Sequence, residues 1–231
     1  MKKFKKFLNY FSAVEKTLWI CSIAFILGAF FIFDRENYLA MTASLIGATA
    51  IIFCAKGNPF GQVLMIIFST VYVYISFKFS YYGEVATYLF MTLPMSVIAL
   101  ISWLKNPYKN KRSEVKVSSV EKKDFLFIII GAVAITIALY FILKYFGTAN
   151  LLPSTVSVAT SFVAVSLTYK RSPFFALAYA VNDVVLIVLW ILATVNDFSY
   201  LSVVICFTVF LINDIYSFVN WKKMKKRQQK I

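Results

Sequence analysis

The chain has 231 residues, 61% of them hydrophobic and 15% charged, with no histidine and a formal net charge of +14. A soluble domain of this length has no interior large enough for so much apolar side chain, so the composition excludes a soluble protein and points to a helical integral membrane protein. The basic excess calls for no nucleic acid, because its residues lie between apolar runs, where anionic lipid headgroups attract them, rather than on one soluble face.

From the N-terminus, Phe4, Phe7, Leu8 and Phe11 recur at helical spacing among lysines, which predicts a short interfacial helix. Eight apolar runs follow, each long enough to cross the hydrocarbon core: Thr17–Phe33, Tyr38–Ala55, Pro59–Phe79, Val85–Leu104, Asp124–Phe146, Leu151–Tyr169, Pro173–Val195 and Ser199–Asn220. The first run ends in Phe33-Asp34-Arg35 without a small-residue cleavage site, which argues against a cleaved signal peptide. Eight crossings bring both termini to one side. All 24 Lys and Arg except Arg35, Lys78 and Lys144 fall on that side. Basic residues in short loops stay cytoplasmic, so both termini are predicted to be cytoplasmic in a cell membrane. Seven or nine crossings would separate them.

Lys56-Gly57-Asn58-Pro59-Phe60 recurs as Lys170-Arg171-Ser172-Pro173-Phe174, and four runs separate the copies. An even number of crossings returns the chain to the same face, so the copies mark a parallel repeat, an architecture of small-solute transporters. The ending Ser102-Trp103-Leu104-Lys105 is matched by Asn220-Trp221-Lys222-Lys223. The predicted fold is therefore an all-α integral membrane protein in which an accessory helix precedes a 3 + 1 + 3 core. Its units are residues 1–37, the first three-helix bundle 38–104, a linker and connecting helix 105–150, the second bundle 151–221, and a basic tail 222–231. The seam between the bundles near the midplane is the natural place for a solute, with alternating access by rocking of one bundle against the other. Pro94, in mid-run, frees a backbone carbonyl and predicts a bend or a packing kink.

Polar residues at mid-depth carry the information in such a chain, because hydrocarbon penalises them. Asp183 lies roughly 15 Å into its run and Asp214 roughly 11 Å from the inner end of the last, at about 1.5 Å per residue. Each follows an asparagine, Asn182 and Asn213. Tyr179, Asn182, Asp183 and Trp190 fall on adjoining faces of one helix; Asn213, Tyr216 and Asn220 share a face of the last, with Asp214, Ser217 and Trp221 on the next. Amides, carboxylates and flat rings are the equipment for a planar heterocycle on a sugar. The blander alternative is that either Asn-Asp pair bonds a neighbouring helix. The first bundle offers Gln62, Ser69 and Tyr72, with Tyr74, Ser76, Tyr88 and Thr92 near them and Glu84 at the outer boundary, so the site is expected to be lopsided.

The phosphate-loop signature is missing, as is any segment long enough for a nucleotide-binding domain, and no metal cluster or catalytic triad can be assembled. Cys21, Cys54 and Cys206 read as small hydrophobes. No cofactor is expected and an enzyme is disfavoured; proton coupling through Asp183 or Asp214 stays open. A sugar carrier and a non-transporting membrane component are the competing classes, and a homo-oligomer is compatible with any of them.

Residues 38–221 resemble the nicotinamide riboside transporter (PnuC-type) family. The resemblance rests on Lys56-Gly57-Asn58, Tyr82-Gly83-Glu84-Val85, the Pro94 to Trp103 segment, Asn182, and the Leu211-Ile212-Asn213-Asp214-Ile215-Tyr216 to Asn220-Trp221 ending. It implies a SWEET-like fold and facilitated diffusion of a vitamin or nucleoside, trapped afterwards by a cytoplasmic kinase. It also implies ligand contacts at Asn182, Asn213 and Tyr216. Nicotinamide riboside members typically carry two tryptophans three apart where this chain has Phe175 and Ala178. Relatives for thiamine, riboflavin or deoxyribonucleosides therefore stay in play.

Overall fold

The computed structural model of the chain describes residues 10–78 and 82–230. Eight helices in it are long and apolar enough to cross a membrane. They are α1 (Ala13–Phe33), α2 (Tyr38–Ala55), α3 (Phe60–Lys78), the composite α4, α5 (Lys122–Tyr145), α6 (Leu151–Tyr169), α7 (Phe174–Thr194) and α8 (Leu201–Gln229). Phe4, Phe7 and Leu8 of the expected interfacial helix, and the side chain of Glu84, lie outside the described residues. Phe11 does not sit at a lipid interface: it is buried edge-on against Phe53 of α2, ring centroids 5.3 Å apart.

Local chemistry explains where helix ends depart from the apolar runs. α1 begins before Thr17 because Ser12 caps it, accepting from the Glu15 N–H at 3.3 Å while the Glu15 carboxylate accepts from the Ser12 N–H at 2.7 Å. α8 continues past Asn220 to Gln229, its last basic turn suiting the negative end of the helix dipole. α4 consists of α-helical Tyr82–Thr87, a π turn Tyr88–Thr92 and α-helical Leu93–Lys105. Pro94 has no N–H to return to Phe90, and the Leu93 N–H reaches back five residues to the Tyr88 carbonyl. The expected bend is thus a π turn.

α2 packs on α3, α3 on α4, α6 on α7 and α7 on α8, while the two sets meet where α8 lies on α2 and α4 on α6. α1 rests on α2 and α8, and α5 rests on α6 and the start of α4. Large apolar side chains such as Phe25, Phe127, Phe141 and Ile212 point outward, where lipid replaces the water a soluble protein would meet.

The two copies of the repeated turn are built alike. After α2 the Asn58 N–H bonds the Phe53 carbonyl at 3.1 Å, and after α6 the Ser172 N–H bonds the Leu167 carbonyl at 3.0 Å. The residue before each is left-handed, Gly57 at φ 64° and Arg171 at φ 56°. Glycine suits the first, where a Cβ would come within 2.8 Å of Met224 Cε and 3.2 Å of Val115 Cγ1, so both side chains would have to give way. Arg171 instead uses its side chain, donating to the Lys116 carbonyl at 3.2 Å and to Ser102 Oγ at 2.9 Å.

The helix ends then interlock in two matching pairs, α4 with α6 and α8 with α2. Ser102 and the Trp103 indole at the end of α4 donate to the Tyr169 and Thr168 carbonyls that end α6, at 2.8 and 2.9 Å. Asn220 and the Trp221 indole near the end of α8 donate to the Ala55 and Cys54 carbonyls that end α2, both at 2.8 Å. The two indoles are fully buried with centroids 5.4 Å apart, and Phe175 packs edge-on against Trp221 at 4.8 Å.

The linker after α4 is not featureless. Strands β1 (Pro107–Tyr108) and β2 (Lys111–Val115) form a small antiparallel hairpin whose two turn residues, Lys109 and Asn110, both have positive φ. Beyond it the strap crosses the end of the bundle: Val115 N–H bonds the Gly57 carbonyl at 2.9 Å and Ser118 N–H the Arg171 carbonyl at 3.0 Å. Gln228 at the end of α8 holds the strap from above, accepting from Val117 N–H at 2.8 Å. Val115 is fully buried and belongs to the same cluster as Trp103, Trp221 and Met224.

Candidate functional site

Above the paired indoles, α2, α3, α4, α6, α7 and α8 enclose a central cavity with about 150 Å³ of free space. Nine of the polar and aromatic residues singled out from the sequence as candidate contacts or their neighbours line it: Gln62, Tyr72, Tyr88, Thr92, Tyr179, Asn182, Asp183, Trp190 and Asp214. Among the described residues no lysine or arginine does.

Asn182 is 5% exposed, and its carbonyl oxygen accepts from two hydroxyls of α6, Thr160 at 2.7 Å and Ser161 at 3.0 Å. Those bonds fix the amide orientation and leave its NH₂ as the group available to a ligand. One turn of sequence placed Asn182; the hydroxyl pair that orients it was not foreseen, although Thr160 and Ser161 are polar residues at mid-depth of the preceding helix. Asp183 and Asp214, from adjoining helices, both line the cavity, and Asp183 Oδ2 is buried without a hydrogen-bond partner. Gln62 donates to Cys54 Sγ at 3.3 Å.

The opposite wall is aromatic. Tyr72 stacks on Tyr88 with centroids 5.0 Å apart and packs on Phe68 at 4.6 Å, with Phe210 edge-on to Phe68. Thr87, Tyr88 and Thr92 reach this wall from the π turn of α4. A flat ring entering the cavity would meet π faces on one side and fixed amide and carboxyl groups on the other.

Three expected contacts lie elsewhere. Asn213 is 1% exposed and faces α1, its amide donating to Ser22 Oγ at 2.9 Å. Tyr216 also turns to α1 and donates to Glu15 Oε1 at 3.1 Å. Ser69 is spent on its own helix, bonding the Met65 carbonyl at 2.8 Å. The reason for the first two is helical phase. Successive residues point about 100° apart, so Asp214 facing the cavity swings Asn213 and Tyr216 toward α1. At the two aromatic positions of the resembling family, Phe175 lines the cavity floor, whereas Ala178 faces a groove between α5, α6 and α7.

Tyr72 and Trp190 border both this cavity and a second space of about 670 Å³ at the end remote from the termini. That vestibule is rimmed by Asp34, Arg35, Glu36, Lys78 and Asp197. Partial burial, with the charge of Asp197 nearby, raises the Asp34 carboxyl above its ordinary range; Ser199 holds Asp197 below it. The cavity is therefore sealed toward the basic end by Trp103, Trp221 and Phe175 and abuts the vestibule at the other.

Comparison with known proteins agrees with this architecture. A PnuC nicotinamide riboside transporter from Neisseria mucosa is 25% identical over 216 residues, covering 92% of this chain and 82% of the relative. A PnuC nicotinamide riboside transporter from Haemophilus influenzae is 22% identical over 197 residues, covering 83% and 82%. A crystal structure of PnuC, a vitamin B3 transporter, shares the fold with a TM-score of 0.80 at 23% identity, covering 94% of each chain. Residues 37–223, all of the chain from the start of α2 to just past Trp221, match the family described as nicotinamide mononucleotide transporter, and the chain belongs to that family of multi-pass membrane transporters.

Proposed function

We propose that this chain carries nicotinamide riboside, or a closely related nucleoside, across the cell membrane by alternating access. The observation that carries the reading is the central cavity: amide and carboxyl groups of α7 and α8 face an aromatic wall of α3 and α4, and a ring-bearing polyol needs both. In support, the cavity is closed at one end by reciprocal indole contacts and borders a vestibule at the other, as one state of a two-gated carrier requires. The reading keeps 3 + 1 + 3 units at residues 38–104, 105–150 and 151–221, and their matching turns favour it. It also sets the basic end in the cytoplasm, so the state described here faces outward. Asn182, Asp183, Asp214, Gln62, Tyr72, Tyr179 and Trp190 are the ligand contacts in this proposal. A cytoplasmic kinase traps the product without touching the carrier, and the chain itself catalyses no reaction.

Phe175 and Ala178 in place of two tryptophans favour a second reading, a different nucleoside or vitamin in the same cavity. Equilibrium binding to the purified protein separates them. The first predicts that nicotinamide riboside competes better than adenosine and deoxyadenosine; binding of the neutral nucleosides alone replaces it with the second. Binding of none of them, with no thiamine or riboflavin binding either, removes both.

A further inference from the structure

Helix α1 precedes the stretch 37–223 that matches the family description, although the similarity to the PnuC relatives extends into it, and it is tied to α2 and α8 at the basic end. The tie is Glu15, 2% exposed. Its carboxylate accepts from Lys56 Nζ at 2.9 and 3.1 Å and from the Tyr216 hydroxyl at 3.1 Å. Lys56 belongs to the turn after α2, and Tyr216 to α8. These are the two elements joined by the Trp221 and Asn220 bonds to the carbonyls of Cys54 and Ala55. Glu15 therefore spans the α2–α8 seam from the side.

The second copy of the turn has a weaker counterpart. Lys170, equivalent to Lys56, pairs with Asp124 of α5 at 2.7 Å, so each repeat lysine meets a carboxylate from a helix outside its own bundle. The side chains of Lys170 and Asp124 are 36% and 29% exposed, against 20% and 3% for Lys56 and Glu15. Asp124 takes no second partner from the facing bundle among the hydrogen bonds of the described residues, whereas Glu15 takes Tyr216. Exposed ion pairs contribute little; breaking a buried one costs several times more, because the remaining charge stays buried.

We propose that Glu15 is a positioning residue of the inner gate: by holding Lys56 and Tyr216 together, α1 keeps the α2–α8 seam shut, and releasing Glu15 lets the basic end open. The gate itself rests on the alternating-access reading, but its test needs no substrate. Cys54 lies behind the seam, buried beneath Trp221, and is the reporter. In a Cys21→Ala, Cys206→Ala background, a membrane-impermeant thiol reagent is applied to vesicles at the face that carries the termini, and the rate of Cys54 modification is measured. Tyr216→Phe cuts only the α8 arm and leaves no unpaired charge; a rise of about tenfold or more is expected for one lost hydrogen bond to a charged group. The paired change Glu15→Met with Lys56→Met removes both arms without stranding a charge, and a rise larger than that of Tyr216→Phe is expected. Asp124→Asn, which opens only the exposed pair, stays within about twofold. Melting temperatures of the same variants separate gating from loss of fold, because a merely structural role lowers them without favouring Cys54 from one face. If Tyr216→Phe and the paired change both modify Cys54 at the parent rate, α1 is an anchor and the proposal falls. If the rates rise but no solute is transported, the gate stands and the substrate reading fails by itself.

Discussion

The indole of Trp103 lies 5.4 Å from that of Trp221, and each donates its N–H to a carbonyl at the end of the other bundle's first helix. Two residues at matching points of a repeat thus make matching bonds in crossed directions. The contact beneath the cavity is consequently built from two matching halves, α4 on α6 and α8 on α2. Each carbonyl also accepts a backbone N–H of the turn that follows, Gly57 for Cys54 at 2.8 Å and Arg171 for Thr168 at 3.0 Å, so the indoles add a second bond to an already paired acceptor.

Trp221→Phe keeps the ring and removes the N–H, while the Cys54 carbonyl keeps its bond from the Gly57 N–H at 2.8 Å. The expected loss is therefore that of one ordinary bond, about 0.5–1.5 kcal/mol of stability, read as a lower melting temperature in detergent. Trp103→Phe should behave alike, since its bond to Thr168 is of the same kind. Truncation of either to alanine is expected to cost about 3–5 kcal/mol through the cavity it leaves.

Asn182 and Asn213 have the same side chain in different surroundings: the first lines the cavity, and the second donates to Ser22 of α1. Asn182→Ala should weaken substrate binding at least tenfold, because a fixed amide donor disappears from the cavity. Thr160→Val with Ser161→Ala, which frees the amide to rotate, should weaken it by a smaller factor in the same direction. Both are measured as dissociation constants on purified protein.

Asn213→Ala is expected to change affinity less than about threefold while lowering the melting temperature, since its amide bonds Ser22 of α1 and not a ligand. A Kd shift as large as that of Asn182→Ala would mean that Asn213 reaches the solute.

Gly57→Ala places a Cβ within 2.8 Å of Met224 at a φ of 64°. The left-handed conformation alone costs about 1–2 kcal/mol, and the crowding against Val115 should pull the strap off the gate. Thermal unfolding of Gly57→Ala and Arg171→Gly tests this: the first should be clearly destabilised. The second exchanges relief of backbone strain for two lost side-chain bonds and should move less.

The crossings were legible because hydrocarbon thickness sets their length, and the repeat because Lys-x-x-Pro-Phe builds one turn twice. Asn182, Asp183 and Asp214 stood out because polar groups are rare at that depth. Asn213 and Tyr216 were misread in direction, since their partners Ser22 and Glu15 sit on α1, nearly 200 residues away in the chain. Periodicity within one helix cannot reveal which neighbour occupies its next face. The strap escaped because its anchors, Gly57, Arg171 and Gln228, come from three separated segments. Only Asn110, a residue tolerant of positive φ, hinted at its hairpin.

Uptake of labelled nicotinamide riboside into proteoliposomes, wild type beside Asn182→Ala, is the most direct test of a solute path between the bundles. The account predicts saturable entry in the wild type, displaced by excess unlabelled compound, and at least a tenfold loss of apparent affinity in Asn182→Ala with the fold intact. Equal uptake by both proteins would contradict it, and so would liposomes that stay impermeable to this and every related nucleoside.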